Sequence, residues 1–528
     1  MTAPGSAPRA GDAQRLAFDE VPGAEIEAAD LGSHGWPAEE IRRVGYQVVD
    51  LIAQYLTALP AGPVFQPVPA AQVEAFAAAP PPEHGTAPSA VLDEFARTIA
   101  PYPFGNGHPR FYGWVNSPPA VMAVFAAALA AAMNPSVAGG NHAAVYVERE
   151  VVDWFRRVLG FPAGSMGLLV SGGSAAATTA LAVARHVAAR RRGWDVRAAG
   201  VQAPPGPGAP ARFIVYQSAE GHGCHQKSVE LLGIGSANLR VVESDAELRL
   251  SPRALDLAIR DDLARGHVPV VVVATAGTVN SGVVDPLDAI ADVSAEHGVW
   301  LHVDGAYGGP AILTRRYRDA LAAVARADSV ALDPHKWLYV PVDAGLVLVR
   351  DGAAMRDAFS LVPPYLRTDD NAAGIAGPPW LSEYGSEQTR PFRALKVWMM
   401  LKQLGLGGYR RLIERDIALA EHLAARVRQA PDLELWEPQG MSIVCFRYVP
   451  ERGRGKEGKA GADGAALDAL NRALLEELQL GGRVFASSTV MAGRFWLRAC
   501  IVNPLAEAAD VDALVDLVRE VGGRLRVG

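Results

Sequence analysis

The 528-residue chain is 50% hydrophobic and 20% charged, with a formal net charge of −7 and a pI near 6.0, a balance that points to neither nucleic acid nor an anionic membrane as a partner. Its three cysteines, Cys224, Cys445 and Cys500, stand far apart without CxxC or Cys/His spacing. That usage excludes a disulfide framework or a structural zinc, leaves no metal site to expect, and fits a reducing, cytoplasmic location.

Residues 1–35 mix Ala, Gly, Pro and acidic residues without periodicity, so a disordered tail is expected there. It has no basic stretch followed by an apolar core, and no secretory signal is expected. From Pro37 the apolar residues Ile41, Val44, Val48, Ile52 and Leu56 recur at spacings of three and four. This predicts one face of a helix, within an N-terminal helical segment over 36–100. The alanine-rich run Ala120–Met133 is too short to cross a bilayer and is followed by Asn-Pro; it predicts a buried helix.

From about residue 145, helical stretches alternate with the apolar runs 167–170, 213–216, 268–274, 299–303, 329–332 and 345–349. Short β-rich runs separated by amphipathic helices imply a largely parallel sheet covered on both faces. A large α/β unit over 101–405 follows. The segment 193–212, with its PPGPGAP stretch, reads as a surface loop, and the polar, low-complexity 451–464 is expected to be disordered. A helix over 414–429 and strands over 441–448 and 494–502 predict a smaller α+β domain over 406–528.

In open parallel sheets, ligands bind beyond the carboxyl ends of the strands, and three such places are chemically unusual. In SGGSAAATTALAVAR (171–185) a strand turns through two glycines into a helix; this is either a plain turn or a site where backbone N–H groups hold a phosphate. VWLHVDGAYGG (299–309) ends its strand in Asp304, which could cap a helix or hold a cationic ring nitrogen. In DSVALDPHKWLYVP (328–341), Lys336 follows a strand and a proline between His335 and Trp337. It reads as a surface lysine or as one whose apolar neighbours ease the loss of its charge, making it a nucleophile toward an aldehyde.

A phosphate cradle, an acid and a lysine are the three handles that pyridoxal 5'-phosphate (PLP) needs. The combination, above all HVDGAYGG and DPHKWL with their spacing, resembles the group II PLP-dependent amino-acid decarboxylases over about residues 40–400. The resemblance implies PLP fold type I, the aspartate aminotransferase-like architecture. It implies that Lys336 holds PLP as a Schiff base and that Asp304 meets the pyridine nitrogen. Gly173 and Ser174 would contact the phosphate, with Thr278, Ala306 and His335 also at the cofactor. His222 is similar to the histidine that stacks on the ring, and His225 competes for that role.

Tyr365, in the Pro- and Gly-rich segment 359–379, resembles the family's proton-donating tyrosine, carried on a loop that enters the neighbouring subunit's site. A homodimer with the site at its interface is therefore implied, and simple decarboxylation to the amine rather than conversion to an aldehyde. Trp114 resembles an aromatic wall of the substrate pocket, and Ser136 and His142 are candidates for substrate contact that depart from the animal enzymes. An aromatic L-amino acid is the expected substrate, with a polar or acidic one as the alternative. A PLP-binding scaffold would have no need of a proton donor, and a binding module without PLP would show no visible absorption.

Overall fold

The computed structural model describes residues 32–201, 211–361, 379–450 and 462–525. The expected tail up to residue 31, most of the polar stretch 451–464, and Tyr365 lie outside the described residues. Helices α1 (Ala38–Ala58), α2 (Ala70–Ala78) and α3 (Pro88–Thr98) come first. The predicted α1 forms, but none of its residues is buried, and Ile41, Tyr46, Val48, Val49 and Tyr55 are exposed.

The alanine-rich run forms α4 (Val121–Met133), closed by Asn134 in the left-handed conformation at φ 42°. The expected burial is not found. Only Ala123 and Ala126 are buried, whereas Val121, Phe125, Leu129 and Met133 are exposed. The helix packs against the long helix Ala394–Gln429, with Ala123 and Ala126 inward and Val121, Phe125, Leu129 and Met133 on its outer stripe.

After α5 (Ala143–Val158) comes the main sheet: β1 (Met166–Val170), β2 (Phe213–Ser218), β3 (Leu239–Val242), β4 (Val268–Thr275), β5 (Trp300–Asp304), β6 (Ser329–Leu332) and β7 (Gly345–Val349). Every residue of β2, β6 and β7 is buried. This is why they read as unbroken apolar runs rather than alternating ones. Strand β3, which sequence patterning does not pick out, is mostly half-exposed.

The strand order is β1-β7-β6-β5-β4-β2-β3. All neighbours are parallel except β7, which runs antiparallel to both β1 and β6. Its flanking helices are α6 (Gly173–Arg190), α7 (Val196–Ala199), α8 (Cys224–Leu231), α9 (Pro252–Ala264), α10 (Leu287–His297), α11 (Arg318–Leu321) and α12 (Gly352–Phe359). β6 reaches β7 through the turn 333–344 with no helix between. Because β1 through β6 share one direction, their carboxyl ends line a single edge.

The helix expected over 414–429 begins earlier, as α13 (Ala394–Gln429), interrupted at Gly405 (φ 61°, ψ 170°). Beyond it lies an antiparallel sheet of β8 (Leu433–Leu435), β9 (Ile443–Tyr448), β10 (Ser487–Met491) and β11 (Arg494–Cys500), in the order β10-β11-β9-β8. It packs with α14 (Ala462–Leu480) and α15 (Ala508–Leu525) around its own apolar cluster.

Candidate active site

The turn after β6 carries the densest chemistry. Lys336 N–H donates to the Asp333 carbonyl at 2.9 Å, curling the chain so that Lys336 Nζ lies 2.9 Å from Asp333 Oδ2. The expectation that apolar surroundings ease the loss of the lysine charge is corrected here. Burial does work in that direction, but the Asp333 and Asp304 carboxylates outweigh it and hold the ammonium above its ordinary value. His335 Nδ1 accepts the Ala344 N–H at 3.2 Å, so in the neutral ring Nε2 carries the proton, 3.7 Å from Asp333 Oδ2. Burial holds this imidazole below its ordinary range.

At the end of the neighbouring β5, Asp304 is 8% exposed and accepts the Ala306 N–H at 3.1 Å. Burial alone would push its carboxyl up; His225, Lys336 and the Ala306 N–H together hold it below the usual range. His225 is fully buried, with Nε2 3.4 Å from Asp304 Oδ2 and Nδ1 3.0 Å from Gln217 Oε1. Of the two candidate histidines, His225 is therefore the one beside Asp304. His222 is exposed just before α8, its Nδ1 accepting the Cys224 N–H at 3.1 Å.

The glycine turn between β1 and α6 packs against the lysine turn. A Cβ on Gly173 would stand 2.9 Å from Asp333 Oδ2 and 3.2 Å from the Ala306 methyl, and one on Gly345 would stand within 2.4 Å of the Gly172 backbone. Glycine at these positions lets the turns of β1, β5 and β6 meet. Ser174 is exposed in the first turn of α6, whose leading N–H groups have no intrahelical partner. Thr278, on the loop after β4, is fully buried and its hydroxyl pairs with Ser281 Oγ at 3.1 Å.

Three buried polar atoms at this edge have no hydrogen-bond partner among the described residues: Asp333 Oδ1, His225 Nε2 and Arg498 Nη2. A buried polar atom without a hydrogen bond is costly, and two of these, on Asp333 and His225, belong to the cluster that holds Lys336 and Asp304. The residues present fit a ligand that carries a phosphate, a ring nitrogen and an aldehyde.

Trp114 is 47% exposed, stacked on Phe104 at 5.6 Å and packed at 5.5 Å against Phe485. Its carbonyl accepts from Arg498 Nη1 at 2.9 Å, and Arg498 Nε donates to the Val279 carbonyl at 2.8 Å. Ser136 is exposed after α4 and His142 half-buried before α5. Neither side chain is hydrogen-bonded to the Lys336 cluster among the described residues. Sequence reasoning missed Asp333 and Arg498. The first had a signal, since it stands three residues before the lysine in DPHKWL; the second showed only as a charge inside an apolar strand, RFWLRAC.

Residues 72–449 match the family described as the pyridoxal-dependent decarboxylase conserved domain. An aromatic-L-amino-acid decarboxylase of Bacillus atrophaeus is 34% identical, covering 88% of this chain and 92% of its own. A phenylacetaldehyde synthase of Arabidopsis thaliana is 29% identical over 92% of this chain and 96% of its own. The crystal structure of Oryza sativa TDC with PLP and tryptamine superposes with a TM-score of 0.83 at 28% identity, covering 93% of this chain and 99% of the other.

Proposed function

The chain belongs to the pyridoxal-dependent decarboxylase family, and from that premise we propose that it removes the carboxyl group of an aromatic L-amino acid to give the amine. The protein is an amino-acid decarboxylase and its cofactor is PLP. One observation carries the substrate assignment: the Trp114 ring, stacked among Phe104, Phe111 and Phe485, sits on a backbone held by Arg498, whose Nη2 is buried and unpaired. An aromatic wall beside an unsatisfied guanidinium suits a ligand with an aromatic side chain and a carboxylate.

When bound, the cofactor supplies an electron sink for the breaking bond. The chain's own groups divide the remaining work. Lys336 Nζ attaches the cofactor, and Asp304, held ionised, keeps a proton on the ring nitrogen. Gly173 and Ser174 offer N–H groups to the phosphate, with His335, Ala306 and Thr278 around it. His222 and His225 are the two candidates to face the ring, and Tyr365 delivers the proton that fixes the product as amine.

We assign the active form as a homodimer in the cytoplasm, with a large unit over 101–405 and a smaller one over 406–528. The bare apolar faces of α1 and α4 support a second copy as their cover, and three free, buried cysteines support a reducing compartment. Likeness to the phenylacetaldehyde synthase favours one rival reading, an aldehyde product. The test is a panel of amino acids with the purified holoenzyme, measuring CO2 and identifying the organic product. Tryptophan, tyrosine or DOPA should yield amine. Turnover of glutamate or another acidic amino acid alone would overturn the substrate assignment, and aldehyde in place of amine would overturn the product.

A further inference from the structure

Beneath the lysine turn a second acid is fully buried. Asp416, in the middle of α13, is 0% exposed. Its Oδ2 accepts both the Trp337 indole N–H at 2.8 Å and the Tyr339 hydroxyl at 2.7 Å, while Oδ1 has no partner among the described residues. The two donors stand one and three residues after Lys336. Both side chains are almost wholly buried, and Tyr339 is held at φ 56°, a conformation disfavoured for an aromatic residue.

The connection continues on the far side of the indole. Trp337 stacks on Tyr307 at 5.0 Å and 18°, and Tyr307, three residues after Asp304, bonds Ser442 Oγ at 2.6 Å. One carboxyl on α13 thus grips the chain next to Lys336, and that grip passes through a stacked pair to the chain next to Asp304. A carboxyl in an apolar core is a poor contributor to stability compared with apolar residues of similar volume, so its presence calls for another role.

We propose that Asp416 is a positioning residue, which fixes the Lys336 turn relative to the end of β5 by holding Trp337 and Tyr339 together. It touches neither substrate nor cofactor. The inference rests on the assignment of Lys336 as the attachment point.

The experiment compares holoenzyme variants Asp416→Leu, Asp416→Asn, Trp337→Phe and Tyr339→Phe with Tyr216→Phe. This last variant removes a buried tyrosine–aspartate bond of the same kind, to Asp262 at 2.8 Å, away from the lysine turn. Readouts are visible circular dichroism per bound cofactor, the pH titration of the cofactor band, kcat and KM separately, and thermal unfolding.

Asp416→Leu should diminish the visible dichroism, shift the band titration, and lower kcat by roughly 10–100-fold with KM changed far less. Asp416→Asn, whose amide oxygen can accept both bonds, should restore most of each. Tyr216→Phe should move only the unfolding temperature. If Asp416→Leu keeps the wild-type dichroism, titration and kcat while losing thermal stability as Tyr216→Phe does, the proposal is overturned. Should that variant not fold, wild-type visible signatures in both Trp337→Phe and Tyr339→Phe overturn it equally. Borohydride labelling of wild type at a lysine other than Lys336 would instead defeat the underlying assignment.

Discussion

Lys336 and Asp333 form an ion pair of 2.9 Å within a single turn of chain, and His335 between them points its protonated nitrogen at the same carboxylate. An ammonium held in this way is no nucleophile until it gives up its proton. Asp333 therefore keeps Lys336 oriented toward the strand edge and also raises the pH at which the amine becomes reactive. In Asp333→Asn the carboxylate's pull is gone, so the pH of half-maximal cofactor uptake by the apoprotein should move down. A stopped-flow series of uptake rate against pH checks this. An unchanged or higher midpoint would show that Asp333 does not govern the lysine.

Attachment and electron withdrawal separate by mutation. Lys336→Ala should lose the visible absorption of a lysine-linked cofactor together with all turnover. Asp304→Asn should still bind cofactor yet lose most activity, because a neutral amide cannot hold a proton on the ring nitrogen. Near-wild-type turnover by Asp304→Asn would assign the wrong carboxylate.

Arg390 and Glu148, each 1% exposed as side chains, form a buried ion pair at 2.5 Å. Arg390 Nη2 also bonds the Leu169 carbonyl at 2.6 Å and Nη1 the Val137 carbonyl at 3.1 Å, tying the segment after α4 to β1. Removing one member strands the other charge, so Glu148→Ala should destabilise by about 3–5 kcal/mol. The double variant Glu148→Leu/Arg390→Met should recover part of that loss in denaturant unfolding. A double variant as unstable as the sum of the singles would count against charge stranding as the cause.

Asp416 titrates near neutrality: burial lifts its carboxyl from 3.8 to about 7, against the pull of the Tyr339 and Trp337 bonds and of Arg415. Cys500 is a further titratable group that feels the Asp416 charge. A carboxyl whose value is higher in the folded chain binds more protons there, so stability falls as pH rises between the unfolded and folded values. From this group the decline runs from about pH 4 to about pH 7. Asp416→Asn should lack it, and the stability difference between variant and wild type should shift in the variant's favour across that window. Parallel pH profiles for the two proteins would contradict the assignment.

If Tyr365 completes the partner's site, inactive Lys336→Ala and inactive Tyr365→Phe chains should regain activity when coexpressed. Alone, Tyr365→Phe should lower amine formation by about 10²–10⁴. Verified heterodimers without activity would place each tyrosine in its own subunit's site.

The sheet was legible because its buried strands are unbroken apolar runs: β6 and β7 occupy the residues expected. Strand β3 was not, since LRVV is half-exposed and makes no such run. Lys336, Asp304 and the glycine turn could be singled out because each stands at or just after the end of a strand. The charge state of Lys336 could not, because it depends on Asp333 and Asp304 folding back onto it rather than on its flanking aromatics. Arg498 is 384 residues from the Trp114 carbonyl that it holds, a distance no local pattern bridges. The reversed direction of β7 is equally silent in sequence, because parallel and antiparallel buried strands share one composition.

That reversal bears on how the chain assembles. Strand β1 stands at the sheet margin, and its sheet neighbour is β7, whose residues 345–349 are synthesised long after 166–170. The strand that leads into the glycine turn therefore gains its hydrogen-bonded neighbour only once the lysine turn has been made and β7 has doubled back along β6. Closing so large a loop is slow. A ribosome-bound chain that ends before residue 345 should have no docked β1, and the cofactor's phosphate and aldehyde handles should come into being as a single late event.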